Sequence, residues 1–358
     1  MSQIKLERVH KRYGEKSAVS ALDLECEDGE FVALFGRPGA GKSTTLKVIA
    51  GIENLSSGAI FFDGRAVSDV PPEKRDVAMA FESYVLYPHW SVRQNLEFSL
   101  CAPGRELSSK EREQRINRVA ELLEIGELLR RRPSQLSGGQ RQRVSLGRAL
   151  VRHAKAALLD EPISHLDARL RHALRGELKR HQHLNRVTTL YATPDFGEAF
   201  AIADRVAVLI DGQLRQFAAP KDVYDAPADW DVALMAGDPK INIFSLSFEA
   251  DGRAALVFGK THLLIQSIPP GVKHVGIRPS HIWLLNWPEP QTIPGSIYVA
   301  EPMGYDQLVR IDIGSQIVTV KLPLAGNEYQ IGQPIWMRPD WNKRHLFDAA
   351  GKRVHELN

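Results

Sequence analysis

Residues 36–43 read Gly-Arg-Pro-Gly-Ala-Gly-Lys-Ser, the spacing G-x-x-x-x-G-K-[ST]. Such a loop works only between a strand and a helix, and both neighbours are legible. Phe31-Val32-Ala33-Leu34-Phe35 is a continuous apolar run ending at a glycine, which predicts a buried strand, and residues 42–50 predict a helix. In that setting Gly36, Gly39 and Gly41 let backbone N–H groups turn inward around a phosphate, with Ala40 between them. The helix N-terminus adds its partial positive charge, Lys42 reaches the β- and γ-oxygens, and Ser43, followed by Thr44, is placed to ligate Mg²⁺. The expected fold is therefore an α/β P-loop nucleotide-binding domain.

Two further motifs extend the site. The apolar run Ala156-Ala157-Leu158-Leu159 ends at Asp160-Glu161, which puts a metal-binding carboxylate at a strand end and a second acid beside it to polarise an attacking water. Leu136-Ser137-Gly138-Gly139-Gln140 precedes a helical pattern, so it makes a second anion-binding helix N-terminus. Two phosphate-binding turns in one chain point to a site shared between two chains.

A length of 358 residues predicts about two domains. Between Ser108 and Arg132, Ile116, Val119, Ala120 and Leu123 fall on one helix face. Val206 to Ile210 predicts a strand, followed by a turn at Asp211-Gly212. Around Ala236 to Pro239 the texture changes: helical periodicity fades, and short alternating strands follow, such as Val309, Ile311 and Ile313 against Val318, Val320 and Leu322 through Gly314-Ser315. The expected domains are 1–237, with a helical subdomain over about 85–155, and an all-β domain over 238–358.

Composition excludes several classes. Lys plus Arg number 46 against 43 for Asp plus Glu, a balance too mild for a nucleic-acid partner. The two cysteines, Cys26 and Cys101, make neither a disulfide framework nor a thiolate cage. No apolar run approaches the roughly 20 residues of a membrane span. The opening Met-Ser-Gln-Ile-Lys-Leu-Glu-Arg lacks the apolar stretch of a secretory signal.

The signature at 136–140 together with the phosphate loop resembles the ATP-binding subunit of ABC transporters over residues 1 to about 235. The resemblance extends to the carbohydrate-importer branch, typified by bacterial maltose and glycerol-phosphate importers. It rests on Ser83-Tyr84-Val85-Leu86-Tyr87-Pro88-His89, Leu166-Asp167-Ala168, and Gly237-Asp238-Pro239-Lys240-Ile241-Asn242. Gly276-Ile277-Arg278-Pro279 and His345-Leu346-Phe347-Asp348 are similar to that branch's C-terminal oligonucleotide-binding-like (TOBE-type) β domain. The resemblance implies that Tyr13 stacks on adenine, residues 36–44 hold the phosphates of ATP, Asp160 holds Mg²⁺ and Glu161 is the general base. It implies that Asp167 sits in the loop crossing a dimer, and that Ser137 to Gln140 close on ATP held by a second ATP-binding subunit. Closure would drive two transmembrane permease subunits, supplied by an extracytoplasmic solute-binding protein, from the cytoplasmic face of the inner membrane. The segment after residue 82 would receive the permease's coupling helix.

Two positions depart from the family's pattern. Glu82 stands where a glutamine contacts Mg²⁺ and the attacking water, and it adds negative charge beside the γ-phosphate while remaining able to ligate Mg²⁺. Pro194 stands where the family's switch histidine is expected, and proline has neither a side-chain donor nor an N–H. The expectation is an own site that binds ATP and hydrolyses it slowly, beside an intact signature that completes a different ATPase chain. Alternatives are a homodimer of weak activity, a non-catalytic regulatory subunit, and a soluble ABC ATPase acting on ribosomes or DNA.

Overall fold

A computed structural model describes residues 2–101, 107–152, 154–248, 253–258, 261–265, 268–324 and 328–355. Of the expected helical subdomain, 102–106 and 153 lie outside the described residues. The chain divides into two compact units, Met1–Lys221 and Asp222–Asn358.

The first unit contains strands β1 (Ile4–Tyr13), β2 (Lys16–Cys26), β3 (Phe31–Phe35), β4 (Ser57–Phe62), β5 (Arg65–Ala66), β6 (Val77–Ala80), β7 (Ala156–Asp160), β8 (Thr188–Thr193), β9 (Arg205–Ile210) and β10 (Gln213–Ala218). Its helices are α1 (Lys42–Ala50), α2 (Val92–Phe98), α3 (Ser109–Leu122), α4 (Gly138–Val151), α5 (Ala168–Asn185) and α6 (Phe196–Ile202). Six strands form one sheet in the order β10-β9-β3-β8-β7-β6, parallel except for the β9/β10 hairpin. All residues of β3, β7 and β8 are buried, as befits strands covered on both faces.

Side-chain alternation divides this sheet between two cores. Val32, Leu34, Leu158, Leu190 and Leu209 pack with α1 and the four-stranded antiparallel sheet β2-β1-β4-β5. Phe31, Ala157, Leu159 and Tyr191 face the other way, onto α2, α3 and α4. The amphipathic stretch after residue 107 is a single helix, α3, started by a Ser108–Glu111 capping box and followed by two short 3₁₀ turns. No helix among the described residues is long and apolar enough to cross a membrane.

The second unit is an all-β body of three antiparallel sheets preceded by two short helices, Pro220–Asp225 and Trp230–Met235. Its hairpin pairs Val309 with Val320 and Ile311 with Val318, the register expected from the alternation. The unit begins at Asp222, ahead of the change of texture near residue 238. Arg278 is the reason. Its buried guanidinium donates to Ala233 O at 3.0 Å, Ala236 O at 2.5 Å and Tyr224 O at 2.7 Å, and it stacks 4.0 Å over the Tyr224 ring. The helix Trp230–Met235 is thereby capped by a β-unit residue, while Ala233 packs on Ile241 and Phe347.

Candidate functional site

Four parallel strands deliver the site at their C-terminal ends, where open α/β sheets bind ligands. Gly36 follows β3, Phe81-Glu82 follow β6, Asp160 ends β7 with Glu161 next, and Pro194 follows β8. The loop from Gly36 to Gly41 is held close against its surroundings. A Cβ at Gly36 would lie 2.5 Å from Leu209 O; one at Gly41, whose φ is +98°, would lie 2.5 Å from Ala18 O. No other residue type meets both conditions at Gly41.

Lys42 opens α1 with its side chain folded back into the loop, 4% exposed. Its Nζ donates to Gly36 O at 2.9 Å and Arg37 O at 3.2 Å and lies 3.7 Å from Glu161 Oε1. Burial pulls the ammonium below its ordinary pKa, with Glu161 and Asp160 opposing that shift. Ser43 Oγ donates to Asp160 Oδ1 at 2.9 Å. Burial also holds Asp160 above the usual carboxylate range, against the Ser43 hydrogen bond, and Glu82 adds to the shift. Glu161 is raised in the same way, by burial first, with Lys42 opposing and Glu82 reinforcing. Its backbone is left-handed, φ 45°, and its N–H donates to Ala192 O at 3.0 Å, a strained conformation fixed by the neighbouring strand.

These groups suit ATP and Mg²⁺. A buried ammonium ringed by carbonyls and a helix N-terminus is an anion cradle. Ser43 and Asp160 supply hard oxygen donors of the kind Mg²⁺ prefers, and phosphate oxygens would complete its shell. Thr44 is half-buried in the first turn of α1, and Ala40 is buried against the core. Tyr13 is 45% exposed at the end of β1, with Lys11 Nζ seated 4.7 Å over its ring.

Glu82 is exposed, yet its charge acts on Lys42, Asp160 and Glu161 together, which sets it near all three. Pro194 is exposed between β8 and α6. The buried carboxylate of Glu198 accepts from Thr193 Oγ1 at 2.8 Å and Tyr191 OH at 2.9 Å, anchoring the strand end before residue 194.

The signature segment starts α4. Ser137 Oγ accepts from Gln140 N at 3.3 Å and Gln140 Oε1 accepts from Ser137 N at 2.9 Å, a reciprocal cap that leaves Gly138 exposed at the helix start. Leu136 is 5% exposed and belongs to the core, so it positions this turn from below. Asp167 caps α5, accepting from Leu170 N at 2.9 Å.

Two contacts had no signal in the sequence. Gln142 on α4 donates to Glu161 O at 3.0 Å and accepts from His165 N at 3.1 Å, joining the signature helix to the acidic strand end. His165 Nδ1 is hydrogen-bonded to Tyr84 OH and lies 3.1 Å from Ser164 Oγ. Beside it a groove is lined by Phe81, Val85, Tyr87, Phe98 and Arg148. The rings of Tyr87, Trp90 and Phe98 cluster there with centroids 4.6 to 5.1 Å apart, and Val85 is 59% exposed.

Residues 19–164 match the family model described as ABC transporter. The chain is 40% identical to the sulfoquinovosyl glycerol transport ATP-binding protein SmoE of Agrobacterium fabrum, over 99% of each chain. It is 37% identical to the sn-glycerol-3-phosphate import ATP-binding protein UgpC of Bordetella avium, over 100% of both. It is 38% identical to the trehalose/maltose import ATP-binding protein MalK of Thermococcus litoralis, over 99% of this chain and 100% of that one. Among solved structures, a dimeric bacterial ABC transporter cassette superposes with a TM-score of 0.56 at 28% identity, covering 60% of this chain and 98% of that one. The same cassette in a post-hydrolysis state, bound to ADP and Pi, gives the same values of TM-score 0.56 and 28% identity over 60% and 98%. The chain belongs to the ABC transporter family, as an ATP-binding subunit whose similarity along its whole length is to those of carbohydrate and glycerol-phosphate importers.

Proposed function

We propose that this chain couples ATP binding and hydrolysis to the uptake of a small polar solute, a sugar, polyol or glycerol-phosphate-like compound, as one half of an asymmetric ATPase pair. It sits peripherally on the cytoplasmic face of the membrane beneath two permease subunits, and an extracytoplasmic binding protein delivers the solute. The β unit serves regulation or dimer contacts. The groove of Phe81, Val85, Tyr87 and Phe98 receives the permease's coupling segment, since it is apolar, open and contiguous with the Glu82 strand end.

In the chain's own site, the loop from Gly36 to Thr44 holds the phosphates, Tyr13 the adenine, and Ser43, Asp160 and Glu82 the Mg²⁺. The ion neutralises charge on the β- and γ-oxygens when bound. Glu161, held above the ordinary carboxylate range, accepts the proton of the attacking water. Residue 194 supplies no hydrogen bond to the γ-phosphate, and hydrolysis there is slow. Ser137 to Gln140 close on ATP held by the partner, a different ATPase chain, with Asp167 in the crossing loop.

One observation carries the asymmetry: Pro194 removes a donor from this chain's own site, while the capped signature helix that acts on the partner is whole. The test is native mass spectrometry of the assembled transporter together with transport by its Glu161→Gln variant. One copy each of two ATPase chains, and transport largely retained in the variant, is the expected result; two copies of this chain with ordinary turnover sinks the asymmetric reading. A non-catalytic regulatory role is the second reading, favoured by Pro194 and Glu82 and opposed by the intact Lys42–Glu161 pair. Alignment with import subunits end to end disfavours a soluble ATPase acting on ribosomes or DNA.

A further inference from the structure

His165 lies between the acidic strand end and Asp167, and its side chain is exposed, so hydrogen bonds rather than packing set its orientation. Its ring stands edge-on to that of Tyr84, centroids 5.7 Å apart, and its Nδ1 is hydrogen-bonded to the Tyr84 hydroxyl. Burial, reinforced by the charge of Glu82, pushes the Tyr84 phenol up, so the hydroxyl keeps its proton at neutral pH. Among the described residues this is the one side-chain hydrogen bond between residues 82–85 and 160–166.

Each end of the bond leads to a strained backbone next to a carboxylate of the site. Tyr84 has a left-handed φ of 45° and closes a turn in which its N–H donates to Phe81 O at 3.3 Å. Glu82 lies inside that turn, and Val85, which lines the groove, follows it. On the other side Glu161, also at φ 45°, has its carbonyl held by two donors, Gln142 Nε2 at 3.0 Å and Ser164 Oγ at 3.1 Å. Both donor residues touch His165. Gln142 Oε1 accepts from His165 N at 3.1 Å, and Ser164 Oγ lies 3.1 Å from Nδ1. One residue thus binds the turn that carries Glu82 through its ring, and the backbone of Glu161 through Gln142 and Ser164.

We infer that His165 is a positioning residue for hydrolysis on this chain's own loop, holding the Glu82 turn and the Glu161 backbone in one frame so that the two carboxylates keep a fixed separation. The inference rests on the reading that Glu161 is the general base. His165 acts only through Tyr84, Gln142 and Ser164. The grip on the nucleotide comes from the Gly36–Thr44 loop, which none of these three residues touches, so loosening the frame slows the chemical step and spares binding. A general base displaced by about 1 Å can lose up to about a hundredfold in rate.

The test is single-turnover hydrolysis of Mg·ATP by the full chain over a range of chain concentrations, which separates the rate constant from the affinity. It is run in the wild-type and Pro194→His backgrounds with Tyr84→Phe, His165→Ala, the two combined, and His165→Asn, with melting curves as the folding control. Tyr84→Phe keeps the ring and removes only the hydroxyl; His165→Asn places an amide where Nδ1 was. Each of Tyr84→Phe and His165→Ala is expected to lower the rate constant about tenfold and to leave the affinity within about twofold. The double variant is no slower than the slower single one, and His165→Asn recovers most of the loss. Rates that do not change, effects that multiply in the double variant, an asparagine variant as slow as alanine, or affinity lost in step with rate overturns the role of His165 while leaving Glu161 standing. A chain that hydrolyses ATP in neither background, or as fast after Glu161→Gln, overturns the general-base reading and the inference together.

Discussion

Replacing Pro194 by histidine tests the reading of the own site most directly, because the structure isolates the change to chemistry. Residue 194 is exposed, so exchanging its ring removes no buried packing. Proline has no N–H, so no backbone hydrogen bond is lost, and its φ lies in a region that histidine also adopts. The turn after it is held by other groups: Asp195 N donates to Thr193 Oγ1 at 3.0 Å, and Asp195 Oδ1 accepts from Glu198 N at 2.8 Å. Stability is therefore expected to move by less than about 0.5 kcal/mol. One positioned donor on the developing charge of the transition state contributes about 3 kcal/mol, or about two orders of magnitude in rate. The assay is single-turnover hydrolysis of Mg·ATP with the chain in excess. Pro194→Ala is the control, since it frees the backbone N–H without adding an imidazole. Pro194→His is expected to be faster by about a hundredfold and Pro194→Ala to stay at the wild-type rate. A wild-type rate already as fast as the histidine variant, or alanine and histidine variants that behave alike, refutes the reasoning.

Three other outcomes follow from burial and geometry. Gly41→Ala places a Cβ 2.5 Å from Ala18 O at φ +98°, and is expected to abolish nucleotide binding and to cost about 2 kcal/mol or more in urea unfolding. Glu161→Gln is expected to raise the melting temperature at neutral pH, where the wild type carries a buried charge whose pKa is raised. The gain vanishes as pH falls below the ordinary carboxylate pKa of 4.5, where the folded and unfolded chains both hold the proton. In the β unit, burial, with Arg278 and Arg353 adding to it, holds the His345 imidazole down at about 4 instead of 6.5. Its contribution is complete above pH 6.5 and is lost as pH falls through 4, up to about 3 kcal/mol, and His345→Gln is expected to flatten the stability of this unit across that window in urea titrations.

The catalytic frame is legible in the sequence because its signals are local. A continuous apolar run reports a strand covered on both faces, which is what β3 and β7 are, and each run leads into residues of the proposed site, Gly36 and Asp160. Contacts that close over long chain separations leave no such mark. The Tyr84–His165 pair spans 81 positions and the Gln142–His165 contact 23, and although Tyr84 lies in a run that stands out, nothing local pairs it with His165 or His165 with Gln142. Leu136 shows the converse: it reads as part of the signature, yet its side chain is core, because the short turn Pro133–Gln135 points it inward. The start of the β unit is hidden for a similar reason. The helix Trp230–Met235 has ordinary helical composition, and what ties it to the sheets comes from far along the chain: Arg278, 42 positions beyond Ala236, and Phe347, packed on Ala233.

The order of strands gives the proposed division of labour a physical basis. In the order β3-β8-β7-β6, Pro194 follows β8 and Glu82 lies two residues beyond β6, so the two departures flank the β7 carboxylates from either side. In the proposed site both lie at the γ-phosphate end. In the proposed site the elements that grip the rest of the nucleotide come from β3 and α1, and the signature comes from α4; residue 194 contributes to neither set, and residue 82 joins the first only through the Mg²⁺ it would share with Ser43 and Asp160. Tight binding and closure over a partner's ATP depend on those two sets. Hydrolysis depends on the flanks. A substitution on either flank can therefore slow one step and leave the other intact, whereas a change in the loop, such as Gly41→Ala, must abolish both. The buried Lys42 ammonium, crowded by carboxylates, keeps the loop committed to an anion even where the chemistry at its far end is weakened.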